Sequence, residues 1–272
     1  MPSAPQVAPE ILHFYGNDFD EATRLTGTAD GRLELVRTRE LLRRHLPGAP
    51  ADVLDVGGGP GVHAAWLAGD GYRVHLVDPV PRHVEAARRA GIAAEAGDAR
   101  ALPAADGSYD VTLVLGPLYH LLEHADRARA LAEARRVTRP GGLVAAAAIG
   151  RYASVFEHTA TTLLAKDRVH DAVRDILTTG RHDPGRKGFT AAYFHTAAEL
   201  ADEMRAAGLG EVALYGVEGP GWGQLKAVEQ YTGERMAENH SAFEAALRAA
   251  RLADGHPDLL AAASHLLAVA RR

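Results

Sequence analysis

The sequence predicts an α/β fold, a parallel sheet with helices on both faces, and two observations carry that prediction. Between Ala51 and about Gly150 short apolar runs alternate with helical stretches. The intervening helices stop at glycines, Gly71 and Gly91, as helices that must turn back into a strand do. Strands and helices alternating at this spacing imply parallel pairing with right-handed crossovers. All strand-end loops then fall on one edge, where such sheets bind ligands.

Taken in order, residues 1–50 read as a helical cap. "GRLELVRTRELLRRHL" sets Leu33, Val36, Leu41, Leu42 and Leu46 along one helix face and is ended by "PGAP". "ADVLDVG" is a buried strand, "VHAAWLAGDG" a helix, "YRVHLVD" the second strand and "RHVEAARRAG" the next helix. "IAAEAGD" and "YDVTLVLG" follow as third and fourth strands. A helix over 126–137 leads through the turn "RPGG" into a fifth strand, "LVAAAAIG". Beyond Gly150 the alternation lapses. Residues 151–180 read as one helix ended by Gly180, 181–188 as an exposed loop, and "FTAAYFH" as a short extended segment. "TAAELADEMRAAGLG" is a helix with a Thr196/Glu199 capping box. "EVALYGVEG" and "SHLLAVARR" are the last strands. The organisation expected is therefore a cap (1–50), a cofactor-binding core (51–150), an insertion that closes over the acceptor (151–195), and the rest of the sheet with an acceptor loop (196–272).

Composition narrows the function. The 272 residues suffice for one large domain or a domain with an insertion, and no secretory leader follows Met1. The longest apolar run, "LVAAAAI", is too short to span a bilayer. There is no cysteine, which excludes disulfides, thiolate metal sites and cysteine nucleophiles and fits a cytoplasmic protein. A net charge of -5 with interleaved signs offers no footprint for nucleic acid. The 14 histidines scatter singly, so no metal site is expected.

"VLDVGGGPG", Val53 to Gly61, carries the chemistry. Gly57, Gly59 and Gly61 give G-x-G-x-G, whereas a dinucleotide turn needs G-x-G-x-x-G, and Val62 stands at its sixth position. Asp55 would repel a pyrophosphate but suits an ammonium or sulfonium group. Asp78 ends the second strand, where an acid accepts hydrogen bonds from ribose hydroxyls. Asp98 ends the third, placed to accept an adenine amino group, with Ala99 beside it and Leu115 at the end of the fourth. Three acids at three successive strand ends describe a site for a cationic adenosine.

These segments resemble the class I S-adenosylmethionine-dependent methyltransferases over nearly the whole chain. "VLDVGGGPG" is similar to the family's first motif, "VDP" to its ribose-binding segment, "GDA" to its adenine-contacting segment, "YDVTLVLGPLYHL" to its fourth-strand motif and "RPGG" to the turn before strand five. "EGPGW" and "HLLAVARR" resemble the C-terminal part of a bacterial small-molecule subgroup. The resemblance implies a Rossmann-like seven-stranded sheet with its last strand antiparallel. It also implies S-adenosyl-L-methionine as cofactor, S-adenosyl-L-homocysteine as product, and glycines that let the backbone approach methionine and ribose.

The candidates for chemistry lie after the fourth strand, where Tyr119 and His120 face the transferred methyl. Tyr119 and His120 are catalytic candidates, His120 as a general base and Tyr119 also as an acceptor contact, against the plainer reading that His120 packs and Tyr119 only lines the pocket. Tyr15, Arg24 and Arg37 precede the core, and an arginine there is placed to pair with the methionine carboxylate. Tyr193, His195, Glu218 and Trp222 are acceptor candidates, Glu218 as a group that steers an amine and Trp222 as a stacking face. The "NPPY" signature of amino-group nucleic-acid enzymes is absent, cytosine C5 chemistry lacks its cysteine, and no clear carboxylate trio marks a magnesium enzyme. The expected activity is N- or O-methylation of a small molecule, with secondary metabolism as its setting. A cofactor-binding protein without transfer chemistry and an NAD(P)-dependent reductase stay as alternatives. The alanine-rich helices allow a homodimer, and core packing explains them equally well.

Overall fold

The computed structural model describes residues 7–18, 21–183, 190–238 and 240–272. Three helices come first, α1 (Pro9–His13), α2 (Glu21–Gly27) and α3 (Ala29–Arg43), with a wide turn at Phe14–Asp18 after α1. The core follows as β1 (Asp52–Val56), α4 (Val62–Gly69), β2 (Arg73–Asp78), α5 (Pro81–Arg89), β3 (Ala93–Ala96) and β4 (Tyr109–Val114). Next come α6 (Pro117–His120), α7 (His124–Val137) and β5 (Thr138–Ile149). After it lie α8 (Ala153–Ala160), α9 (Asp167–Thr179), the short pair β6 (Arg181–His182) and β7 (Ala192–Tyr193), and α10 (Ala197–Ala206). The chain finishes with β8 (Ala213–Gly216), α11 (Trp222–Thr232), α12 (Ser241–Ala253) and β9 (His265–Arg271).

The main sheet has seven strands in the order β3-β2-β1-β4-β5-β9-β8. β9 lies between β5 and β8 and runs antiparallel to both, while the other neighbours pair parallel. The two-residue period of β1 explains why both sheet faces are covered. Leu54 and Val56 point into a core closed by Leu131 of α7 and Leu200 of α10. Val53 points the other way, into a core closed by Leu41 and Leu42 of α3 and by Leu67 of α4. Burying a leucine of this kind is worth roughly 1.5–3 kcal/mol, so each face holds its helices firmly.

The structure corrects four boundaries. Residues 151–180 form two helices, α8 and α9, broken by a tight turn at Leu163–Ala165 rather than one. The expected loop at 181–188 lies largely outside the described residues, and its start is a strand, because Arg181 and His182 pair with Tyr193 and Ala192. "RPGG" belongs to β5, not to a turn before it. Thr138 already pairs with Tyr109, and after a register shift Val111 pairs with Leu143. A side chain at Gly142 would lie 2.6 Å from Thr138 Cγ2 and 2.7 Å from the Asp110 carbonyl, so the glycine admits a bulge. Finally, the segment between β8 and β9 is helical. α11 and α12 pack on α3 through Leu33, Trp222, Leu225 and Phe243, a small core of their own. No helix among the described residues is long and apolar enough to cross a membrane.

Candidate functional site

Strand order reverses between β1 and β4, and there the carboxyl edge of the sheet opens into a cavity of about 330 Å³. The loop after β1 forms one wall. Its shape requires glycine at two positions in particular. Gly61, at φ 94°, starts α4 in the left-handed region, and a side chain at Gly58 would meet the Asp55 carboxylate at 2.5 Å. Gly57 and Gly59 line the cavity; Gly61 does not, so its part is to turn the chain rather than to touch a ligand.

The three strand-end acids converge here, and each is in a different state. Asp55 is 1% exposed and neither carboxylate oxygen makes a well-formed hydrogen bond. Burial, and then the charge of Asp78, push it up to about 7 against a weaker pull from the Ala64 backbone N–H. Asp78 is buried too, but it accepts the Gly59 and Val80 backbone N–H groups at 2.9 Å and lies 3.2 Å from His83 Nδ1. Asp98 accepts the Arg100 backbone N–H at 2.8 Å and pairs with its guanidinium at 2.7 Å; that guanidinium also reaches Asp126. Ala99 and Leu115 line the same cavity.

Opposite the glycine turn, Tyr119 and His120 close the wall with the N-terminal cap. Tyr15 is buried over them, its hydroxyl 2.9 Å from His120 Nε2. Burial holds the His120 imidazole down at about 4 against an opposing hydrogen bond donated to the Ala191 backbone carbonyl, so it is neutral at pH 7. Burial raises the Tyr119 phenol. Arg24 lines the cavity and is engaged on both sides, with Glu21 at 2.8 Å and with both oxygens of Glu34 at 2.8 and 2.9 Å.

Another part of the cavity wall is built by residues not singled out as site candidates from the sequence. Glu34 of α3, His63 of α4 and His265 of β9 line it, above the apolar floor of Ala147, Val217 and Leu267. Glu218, just past β8, accepts the His265 Nδ1–H at 2.5 Å and its backbone N–H at 2.9 Å. Glu34 lies 3.6 Å from the same Nδ1. Burial would lower the His265 imidazole, but Glu34 and Glu218 overcome it and lift it to about 9. Burial would raise Glu34, but Arg24 and then His265 hold it down at about 2. Burial keeps His63 at about 4; its Nδ1 accepts from the Trp66 indole at 3.2 Å, so the ring proton sits on Nε2.

Five expected site residues stand elsewhere. Arg37 is fully buried away from the cavity, where Glu40, Asp254 and the Val217 carbonyl take its guanidinium, so it is not available to a cofactor carboxylate. Trp222 is 2% exposed in the helical core, its indole donating to the Ala262 carbonyl at 2.9 Å, which leaves no face for an acceptor. Tyr193 lies under the Arg127 guanidinium at 3.8 Å, and His195 is wholly buried 3.4 Å from Glu203. Both belong to an ionic network behind the sheet. Glu218 does not line the cavity and reaches it only through His265.

The lining fits a cationic nucleotide-like ligand. Among the described residues it carries eight carboxylates (Glu10, Glu21, Glu34, Asp55, Asp78, Asp98, Glu123 and Asp126) against two arginines, both in ion pairs. A buried carboxylate without a well-formed hydrogen bond is costly unless a cation or donor arrives, and Asp55 is one.

Comparison with known proteins agrees with this geometry. Residues 53–142 match the family model of a methyltransferase domain. An uncharacterized methyltransferase of a Mycobacterium species (strain JLS) is 45% identical over 97 residues, 34% of this chain and 36% of that one. The chain thus spans about a third of the length of the first curated relatives it matches. Among solved structures, a Thermotoga maritima methyltransferase described as a possible histamine N-methyltransferase is 18% identical with a TM-score of 0.59, covering 96% of this chain and 99% of that one. A [4+2]-cyclase has the same fold at 19% identity and a TM-score of 0.52, covering 94% and 84%. With the seven-stranded order, the acid-lined edge and the matched core together, the chain has the fold of S-adenosylmethionine-dependent methyltransferases and carries a methyltransferase-domain match over residues 53–142.

Proposed function

We propose that the protein transfers a methyl group from S-adenosylmethionine to N or O of a small-molecule acceptor. The observation that carries this reading is an acid-lined cavity whose wall includes the glycine turn and Asp55 together with Glu34 and His265. A cofactor site and an acceptor site side by side in one cavity are what an in-line transfer needs. A cytoplasmic setting, a part in secondary metabolism and the exclusion of nucleic acid belong to this proposal, and the acidity of the cavity supports the last.

Asp78, Asp98 and the Gly57–Gly59 turn would hold the adenosine, and Asp55 would face the positive charge. When bound, the cofactor supplies an activated methyl on a sulfonium, so the protein has only to orient the acceptor, exclude water and accommodate a proton. Tyr15 and the cap wall the cavity from solvent. His120 is a poor base at so low a pKa; its hydrogen bond to Tyr15 joins cap to core, which makes it a positioning residue.

Calorimetric titration with S-adenosylmethionine, S-adenosylhomocysteine and NADH tests the reading. Binding of the two adenosyl ligands and not of NADH is expected. Binding of NADH alone overturns it. The cyclase of the same fold favours one second reading, a protein that holds the cofactor without transferring its methyl. Incubation with methyl-labelled cofactor and an acceptor panel separates the two.

A further inference from the structure

Three elements distant in sequence deliver Glu34, Glu218 and His265 to one end of the cavity, with ligand-type atoms of the three within 4.8 Å of one another. Their hydrogen bonds leave one atom uncommitted. His265 Nδ1 is held by Glu218, while Nε2 has no hydrogen-bond partner on a ring that lines the cavity. The charged and titratable neighbours are Glu34 of α3, Arg24 and Glu21 of α2, Glu218 beyond β8, and His63 of α4, which is neutral. Three carboxylates therefore face two cations, Arg24 and His265. Both Glu34 oxygens already accept from Arg24, so that guanidinium is engaged, and the cationic donor facing this part of the cavity is the His265 Nε2–H.

We infer that Glu34, Glu218 and His265 form the acceptor-recognition site and select a nucleophile that carries an amino group. This rests on the methyltransferase reading of the same cavity and deepens it. A carboxylate acceptor would meet the Glu34 carboxylate with Nε2–H as its one donor. An amine, arriving as an ammonium ion, donates its N–H groups to Glu34, and the imidazolium gives up its Nε2 proton to solvent as the ammonium binds. Its nitrogen must then lose a proton to expose a lone pair. The imidazole in the Glu218-held tautomer takes that proton on Nε2, becoming imidazolium. In the free protein the ring already holds one, stabilised by both glutamates. The net balance is one proton released to solvent for each ammonium bound, with the amine left neutral beside an imidazolium. Glu218 acts through His265 and is a positioning residue.

A divalent cation is the competing occupant of two carboxylates and an imidazole. The bidentate grip of Arg24 on Glu34 sets a positive charge against it, and the favoured occupant is the amine.

The test uses the full chain saturated with S-adenosylhomocysteine, titrated calorimetrically with benzylamine, benzyl alcohol and benzoate in two buffers of different ionisation enthalpy. Binding of benzylamine over the other two, with proton release, is the expected result. Glu34→Gln and Glu218→Gln should each weaken benzylamine at least about tenfold, the scale of one lost charge-assisted hydrogen bond, with the S-adenosylhomocysteine affinity nearly constant as the measure of an intact fold. Preference for benzoate, binding of none of the three, or competition by magnesium or manganese overturns the assignment. Equal loss of S-adenosylhomocysteine and benzylamine affinity in both variants also overturns it, by giving the cluster to the cofactor. Failure of S-adenosylhomocysteine to bind the parent protein is a different result and removes the methyltransferase reading itself.

Discussion

The two ends of the cavity are built on opposite principles. At the proposed cofactor end, Asp55, Asp78 and Asp98 come from strands adjacent in sequence, and one of them is left without a well-formed hydrogen bond. At the proposed acceptor end, Glu34, Glu218 and His265 come from remote parts of the chain and are tied to one another and to Arg24. The first end keeps an unsatisfied group for its ligand. The second ties its carboxylates to two cations, Arg24 and His265, and leaves one imidazole nitrogen for contact.

That contrast can be broken most forcefully at Asp78. Asp78→Ala removes the carboxylate that orders Gly59 and Val80 as well as a ligand contact. Loss of two charge-assisted hydrogen bonds, at ~1.5–3 kcal/mol each, should weaken both adenosyl ligands by about 100-fold or more in calorimetry. An affinity within about threefold of the parent would show that the cofactor end is misassigned.

The acceptor end should reveal itself next, in stability against pH. The folded His265 imidazole is raised to about 9, so its stabilising contribution is complete below about 6.5 and is lost as pH rises through 9. Its size is roughly 2–3 kcal/mol at most. Thermal melts between pH 6.5 and 9 should therefore fall in the parent protein, and Glu34→Gln should flatten that fall. A parallel decline in both proteins would mean that the pair does not hold the proton.

The smallest effect expected is at Asp55. Protonated below about 7, it faces a cation poorly; ionised above, it faces one well. S-adenosylmethionine should bind more tightly as pH rises from 6 to 8, by up to about tenfold per unit below the midpoint. S-adenosylhomocysteine, which lacks the sulfonium charge, should change less, and Asp55→Asn should remove the difference. Identical pH curves for the two ligands would separate Asp55 from the cofactor's charge.

Much of the cofactor end is legible in the chain itself. The apolar runs that end in Asp55, Asp78 and Asp98 specify strand, turn and acid within a few residues, because a parallel sheet puts every strand end on one edge. Gly58 is the exception. Nothing in its spacing distinguishes it from its neighbours, and only the carboxylate packed against its Cα shows why no side chain fits. α11 and α12 are not legible, because their apolar residues, Trp222, Leu225 and Phe243, face a partner helix, α3, almost 200 residues earlier. By residue type Trp222 and Arg37 suit ligand contact; by position they are packing and ion-pair residues.

By itself the sequence determined the strand order's raw material, the glycine turn, the absence of thiol chemistry and the acids that suit a cationic adenosine. Each of these depends on neighbours a few positions apart, where local geometry dictates the outcome. Only the tertiary structure decided which of Arg24 and Arg37 reaches the cavity, that His120 is kept neutral, and that Glu34, Glu218 and His265 meet. The reason is physical: a side chain's charge state is set by burial and by the charges beside it, and those neighbours are chosen by the fold rather than by the chain order.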